Sequence, residues 1–176
     1  MLETMRPTVS GVCIVATLVL ARLAAPAEAL PWNVPERLRP AIEDPSFKTA
    51  FDVGTWLNPF YLRGDFDGDG SPDYAVLAIH RSDGKKGIAI WLSNKGDPKP
   101  TMIGAGTKSR AGGAVSDDWE FFDAWQVYGK RAVSKGAGEG KPPRLIGEAI
   151  LIEKIESASG LLYWDGKQFR WYQQGY

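Results

Sequence analysis

The stretch "LRGDFDGDGSPDYAVLAIH", from Leu62 to His80, most restricts what this chain can fold into. Carboxylates stand at Asp65, Asp67, Asp69 and Asp73, four in nine residues, and an apolar run begins at Tyr74. Like charges packed this closely repel one another unless a counter-ion joins them. A hard divalent cation with oxygen ligands suits the pattern. Alternate side chains turn inward around a tight loop, Gly70 stands where the backbone must bend sharply, and the Ser71 carbonyl completes the shell. The run that follows is apolar on both alternating faces, with Tyr74, Val76 and Ala78 on one and Ala75, Leu77 and Ile79 on the other. A strand covered on both faces has this composition. The expectation is a metal loop that opens directly into a central strand.

The spacing separates this loop from an EF-hand, which needs a bidentate Glu at its twelfth position. Counting from Asp65, that position is Val76, and the last carboxylate comes at the ninth, Asp73. The segment "GDFDGDGSPDYAVL" resembles the calcium loop of FG-GAP and VCBS-type repeats, in which Asp-x-Asp-x-Asp-Gly-x-x-Asp precedes an apolar strand. The resemblance implies Ca2+ as the ligand, with Asp65, Asp67, Asp69 and Asp73 as side-chain ligands and Ser71 as the carbonyl ligand. It covers about one blade's length, residues 60–103. These repeats build propellers from several blades, yet no second loop with this spacing occurs in the chain. A full propeller is therefore not expected.

The first residues read as a processing segment. Arg6 gives a positive start, Val9 to Leu20 an apolar core, and Ala27-Glu28-Ala29 a small-x-small cleavage site, so residues 1–29 are expected to be a secretory signal peptide. The apolar core falls short of the roughly 20 residues a membrane span needs. No span is expected after cleavage, and the location is secreted or periplasmic. Cys13, the only cysteine, lies within this leader, which leaves no disulfide, thiolate nucleophile or zinc-cysteine site. Lysine plus arginine equal aspartate plus glutamate, 21 against 21, and the leader removes two of each. A formally neutral chain argues against nucleic acid or an anionic membrane as the partner. Seven tryptophans, all after the leader, point to a dense aromatic core or an aromatic surface.

Residues 30–176 are expected to form a single β-rich α+β domain. Short helices are expected around Glu36 to Ile42 and Ser46 to Phe51, packing Leu38, Ile42, Phe47 and Phe51 inward. About eight antiparallel strands should follow, four around the aspartate loop and four after Ala124, in one larger sheet or two packed ones. "AGTKSRAGGAVS" and "YGKRAVSKGAGEGKPPR" read as long loops. In "GLLYWDGKQFRWYQQ", Asp165-Gly166 predicts a two-residue hairpin turn that pairs Trp164 with Lys167 and Leu162 with Phe169. Leu162, Trp164, Phe169 and Trp171 then share one face.

Two further groups could carry chemistry. "DDWEFFDAW" gathers Asp117, Asp118, Glu120 and Asp123 among Trp119, Phe121, Phe122 and Trp125. Paired carboxylates beside aromatic rings are what a carbohydrate-active hydrolase or a sugar-binding cleft uses. The competing expectation is a short helix capped by Asp117, with Glu120 at the capping-box position. His80, the only histidine, lacks a nucleophile elbow to build a triad around. The sequence as a whole points to a non-catalytic, calcium-binding structural or binding module. A hydrolase, or an inhibitor or accessory protein docking on another extracytoplasmic protein or a glycan, is the alternative.

Overall fold

The computed structural model describes residues 30–31, 33–93, 99–111, 114–137 and 140–175. The expected signal peptide, with Cys13, lies outside the described residues. Among those described, no helix is long and apolar enough to cross a membrane.

Two short helices open the fold, α1 (Arg39–Glu43) and α2 (Pro45–Lys48). Each begins on a proline or carries one in its first turn, and the Asp44 side chain caps α2 by accepting the Ser46 N–H. Leu38, Ile42 and Phe47 turn inward as expected. Phe51 is not helical. It opens β1 (Phe51–Val53), because its backbone pairs with His80 at the end of β3 (Asp73–His80).

The first sheet is built on β3. One edge of β3 carries β1 and β2 (Tyr61–Gly64) end to end, and the other carries β4 (Lys86–Trp91), followed by β5 (Thr101–Gly104). All pairings are antiparallel, and Asp73 to Ala78 are buried without interruption. The two-faced apolar pattern of this strand is thereby accounted for. One of its faces is covered by the helices: Trp91 stands opposite Tyr74, and Phe47 meets the Trp91 ring at 5.2 Å.

A hairpin of β6 (Ser109–Ala111) and β7 (Ala114–Ser116) follows, and then a four-stranded meander of β8 (Ala124–Tyr128), β9 (Ala149–Lys154), β10 (Ala158–Trp164) and β11 (Phe169–Gly175). The described residues thus hold eleven strands where about eight were expected. The additions, β1, β6 and β7, have three residues each. That is too short for an alternation to register in sequence. The sheets are open, none closing into a barrel. One core cluster draws Val76, Leu77, Ile88 and Ile90 from the first sheet together with Ile150, Ile152, Leu162 and Trp164 from the second.

The last hairpin departs from its expected register. Trp164 pairs with Phe169 and Leu162 with Trp171, so the connection is Asp165 to Gln168 rather than two residues. Asp165 explains the longer turn, because its Oδ1 accepts the N–H groups of Lys167 (2.8 Å) and Gln168 (2.9 Å). Arg170 donates to its other oxygen, and with these two N–H groups it holds the carboxyl down to about 2. The slip is by two residues, so every side chain keeps its face. Leu162, Trp164, Phe169 and Trp171 all join the main core as expected.

Trp171 lies flat over Gly160 of the neighbouring strand, where an added Cβ would come within 2.0 Å of its ring. Overpacking of this kind costs about 1–3 kcal/mol. Gly160→Ala should therefore lower the unfolding free energy by that amount, read as a lower urea midpoint, and an unchanged midpoint would show that the indole moves aside freely.

Candidate metal centre

Strands β2 and β3 end their pairing at Gly64 and Asp73, which leaves residues 65–72 as the connection. Its backbone turns through Gly68 (φ +79°) and Gly70 (φ +87°), in the left-handed region that side chains disfavour. Asp73 anchors it. This carboxylate is fully buried, and its Oδ2 accepts the N–H groups of Phe66 (2.8 Å) and Asp67 (3.4 Å). Its Oδ1 accepts the Ser93 N–H just beyond β4 at 2.8 Å, and the Ser93 hydroxyl bonds the Pro72 carbonyl.

The remaining carboxylates hold the turn from within. Asp65 Oδ2 accepts the Gly70 N–H (3.1 Å), Asp67 Oδ1 the Asp69 N–H (3.3 Å) and Asp69 Oδ1 the Ser71 N–H (2.6 Å). Asp65, Asp67 and Asp73 each present a carboxylate oxygen to a common space, all within 4.8 Å of one another. Asp69 does not join this group. It is exposed at the rim beside Ser71, which is half-buried.

Three carboxylates this close are an electrostatic liability without a cation. Burial pushes the Asp73 carboxyl up to about 6, and the Asp67 charge adds to the rise against the lowering effect of the backbone N–H groups. Asp65 Oδ1 is buried and has no hydrogen-bond partner, although buried oxygens are rarely left so. An all-oxygen donor set with an orphaned carboxylate oxygen suits a hard divalent cation such as calcium. Asp65, Asp67 and Asp73 would hold it, and the ion would supply the positive charge that the loop lacks.

A distant segment completes the site. Glu148 Oε2 accepts the Asp65 N–H at 2.9 Å, and the Glu148 N–H donates to the Asp65 carbonyl at 2.7 Å. Gly147 lies so close that an added Cβ would stand 2.5 Å from the Asp65 oxygen and 2.6 Å from the Gly68 nitrogen. A Cβ on Gly68 would in turn meet the Ile146 carbonyl oxygen at 2.2 Å. These residues escaped the sequence reading because 83 positions separate Glu148 from Asp65. Locally, "GEAIL" signals only the start of a strand.

The other candidate groups are placed differently. Residues 117–123 form turns and no helix. Ser116 Oγ accepts the Asp118 N–H, and Asp117 pairs with Lys85 Nζ at 2.8 Å instead of capping. Glu120 pairs with Lys86 (2.6 Å) and Asp123 with Lys154 (3.0 Å). Lys85 and Lys86 hold the Asp117 and Glu120 carboxyls below their ordinary range, the opposite of what a general acid needs. Trp119, Phe122 and Trp125 are buried, leaving Phe121 as the exposed ring of the segment. At His80, Asp83 and Ser82 both contact the same ring nitrogen, Nδ1. A triad would place them on opposite nitrogens.

Asp73 gives the centre a pH signature. Its native pKa stands above the ordinary 3.8, so the folded chain holds this proton more tightly than the unfolded one. Its contribution to stability is complete below about pH 4 and lost as pH rises through about 6. In chelator, wild-type protein should lose stability between pH 4 and 7 relative to Asp73→Asn, which has no proton to release. Parallel pH curves for the two proteins would refute this.

No protein-family model, curated protein or solved structure matches the chain. The likeness to FG-GAP and VCBS-type loops accordingly rests on the loop's own residues.

Proposed function

We propose that this chain is a secreted or periplasmic, non-catalytic module that binds one calcium ion in the loop between β2 and β3. The convergence of oxygens from Asp65, Asp67 and Asp73 around the unpartnered Asp65 Oδ1 carries this reading. The motif adds Asp69 and Ser71 to the ligand set from the rim. Placement outside the cytoplasm rests on the leader pattern of residues 1–29, and extracellular calcium modules bind on the order of 0.1 to 1 mM. A hydrolase centred on Trp119 finds less support, because the ring is buried and the carboxylates around it are engaged by lysines.

The accessory-protein reading has one observation in its favour. The strap between β8 and β9 carries Lys130, Arg131, Lys135, Lys141 and Arg144 against two acids, Glu139 and Glu148. All five cations are exposed, and among the described residues none forms an ion pair, although Arg131 lies 4.1 Å over the Tyr128 ring. The strap is fixed against the second sheet by the bonds from Gly136 N–H to the Tyr172 hydroxyl (3.1 Å) and from Ala137 N–H to the Gln174 carbonyl (3.0 Å). Exposed cations gathered on one strap suit an acidic protein surface.

Calcium at ten times its Kd stabilises by about 1.4 kcal/mol, a rise of roughly 3 to 6 °C in Tm for a domain of this size. Thermal melts of the mature protein in 10 mM calcium and in chelator should differ by at least that margin, and the difference should vanish in Asp65→Ala and in Asp67→Ala plus Asp69→Ala. Coincident melts of the wild-type protein would overturn the calcium reading.

A further inference from the structure

The Asp65 backbone is bonded to Glu148 on both sides, its N–H to the carboxylate and its carbonyl to the N–H. The Asp65 side chain, on the other hand, faces the group of three carboxylates. A single residue therefore joins the candidate ion site to the first residue before β9. From these bonds we infer that ion binding in the loop latches the second sheet onto the first, with Glu148 as the positioning residue that transmits it. The inference rests on the calcium reading.

The electrostatics favour a latch that the ion tightens. Without a cation, the three converging carboxylates repel one another, and Glu148 brings a further negative charge to the same loop. Opening the 146–148 contact relieves part of that repulsion. A bound cation reverses the sign, because it draws the Asp65 and Asp73 carboxylates inward and fixes the Asp65 peptide in the position Glu148 grips. Backbone meets backbone at Gly68 and Gly147 with no room for a Cβ, so the two segments either dock closely or separate.

The contact leads directly into the core. β9 follows Glu148 without a break, pairs with β8 and β10, and buries Ile150 and Ile152 completely. On the upstream side, Leu145 packs with Leu161 and Tyr172 and ties down the end of the cationic strap. Calcium thus governs how firmly the second sheet and its strap are held, and Glu148 is the link. A residue that only stabilised β9 would act equally with and without the ion.

Hydrogen exchange on the mature protein, read under conditions where amides exchange by local opening and not by global unfolding, with calcium at ten times its Kd and in chelator, tests the latch. Calcium should slow exchange by roughly tenfold, the linkage factor at that concentration, in residues 146–154 as well as in 65–73. In Glu148→Ala the slowing should be confined to 65–73, and Glu148→Gln, which retains an acceptor for the Asp65 N–H, should restore it in 146–154. If wild-type calcium protection stops at residue 73, or if Glu148→Ala keeps it in 146–154, the latch is wrong and calcium binding stands. If calcium slows exchange nowhere, both fall.

Discussion

The buried carboxylate of Asp73 is the constraint around which the first sheet is organised. It takes three backbone N–H groups, from Phe66, Asp67 and Ser93, and so fixes the loop before β3 and the end of β4 with one side chain. Burying a charge without a cation is unfavourable unless hydrogen bonds compensate, and here they compensate only in part, since the carboxyl remains well above its ordinary pKa. Two more carboxylates are then brought to the same space. Fold and ligand follow from one arrangement: the bonds that shape the turn also create the negative charge that calcium would neutralise.

From this loop the contacts run outward to the second sheet by two routes. Glu148 grips the Asp65 peptide on one side of the molecule. On the other, residues 117–123 bridge β4 and β9, with Trp119 N–H bonded to the Lys86 carbonyl and Asp123 N–H to the Glu153 carbonyl. Aromatic rings fill the space between, Trp119 meeting Trp171 edge-on at 5.8 Å and Trp125 donating to the Pro59 carbonyl at 2.6 Å. The tryptophans of the 117–125 segment act as packing elements, and the carboxylates beside them as ion-pair partners.

What could be read in the sequence was whatever a short window of residues determines. β3 was legible because both its faces are apolar, and the faces of the final hairpin because parity survives a two-residue slip. The turn length was not legible, since it depends on the Asp165 side chain preferring two backbone N–H groups. The segment from Asp117 to Asp123 carried a sound local capping pattern, yet Lys85, Lys86 and Lys154 from distant positions engaged its carboxylates instead. For the candidate site, the spacing pointed to four aspartates and Ser71, of which Asp65, Asp67 and Asp73 converge, and nothing local could have identified Glu148.

A crystal structure determined in saturating calcium, with anomalous scattering recorded, would show whether the ion sits in this loop. One calcium peak is expected, bounded by the carboxylates of Asp65, Asp67 and Asp73, with the Asp65 to Glu148 hydrogen bonds intact. Ordered water alone between those carboxylates, at calcium well above the millimolar range of extracellular sites, would contradict it.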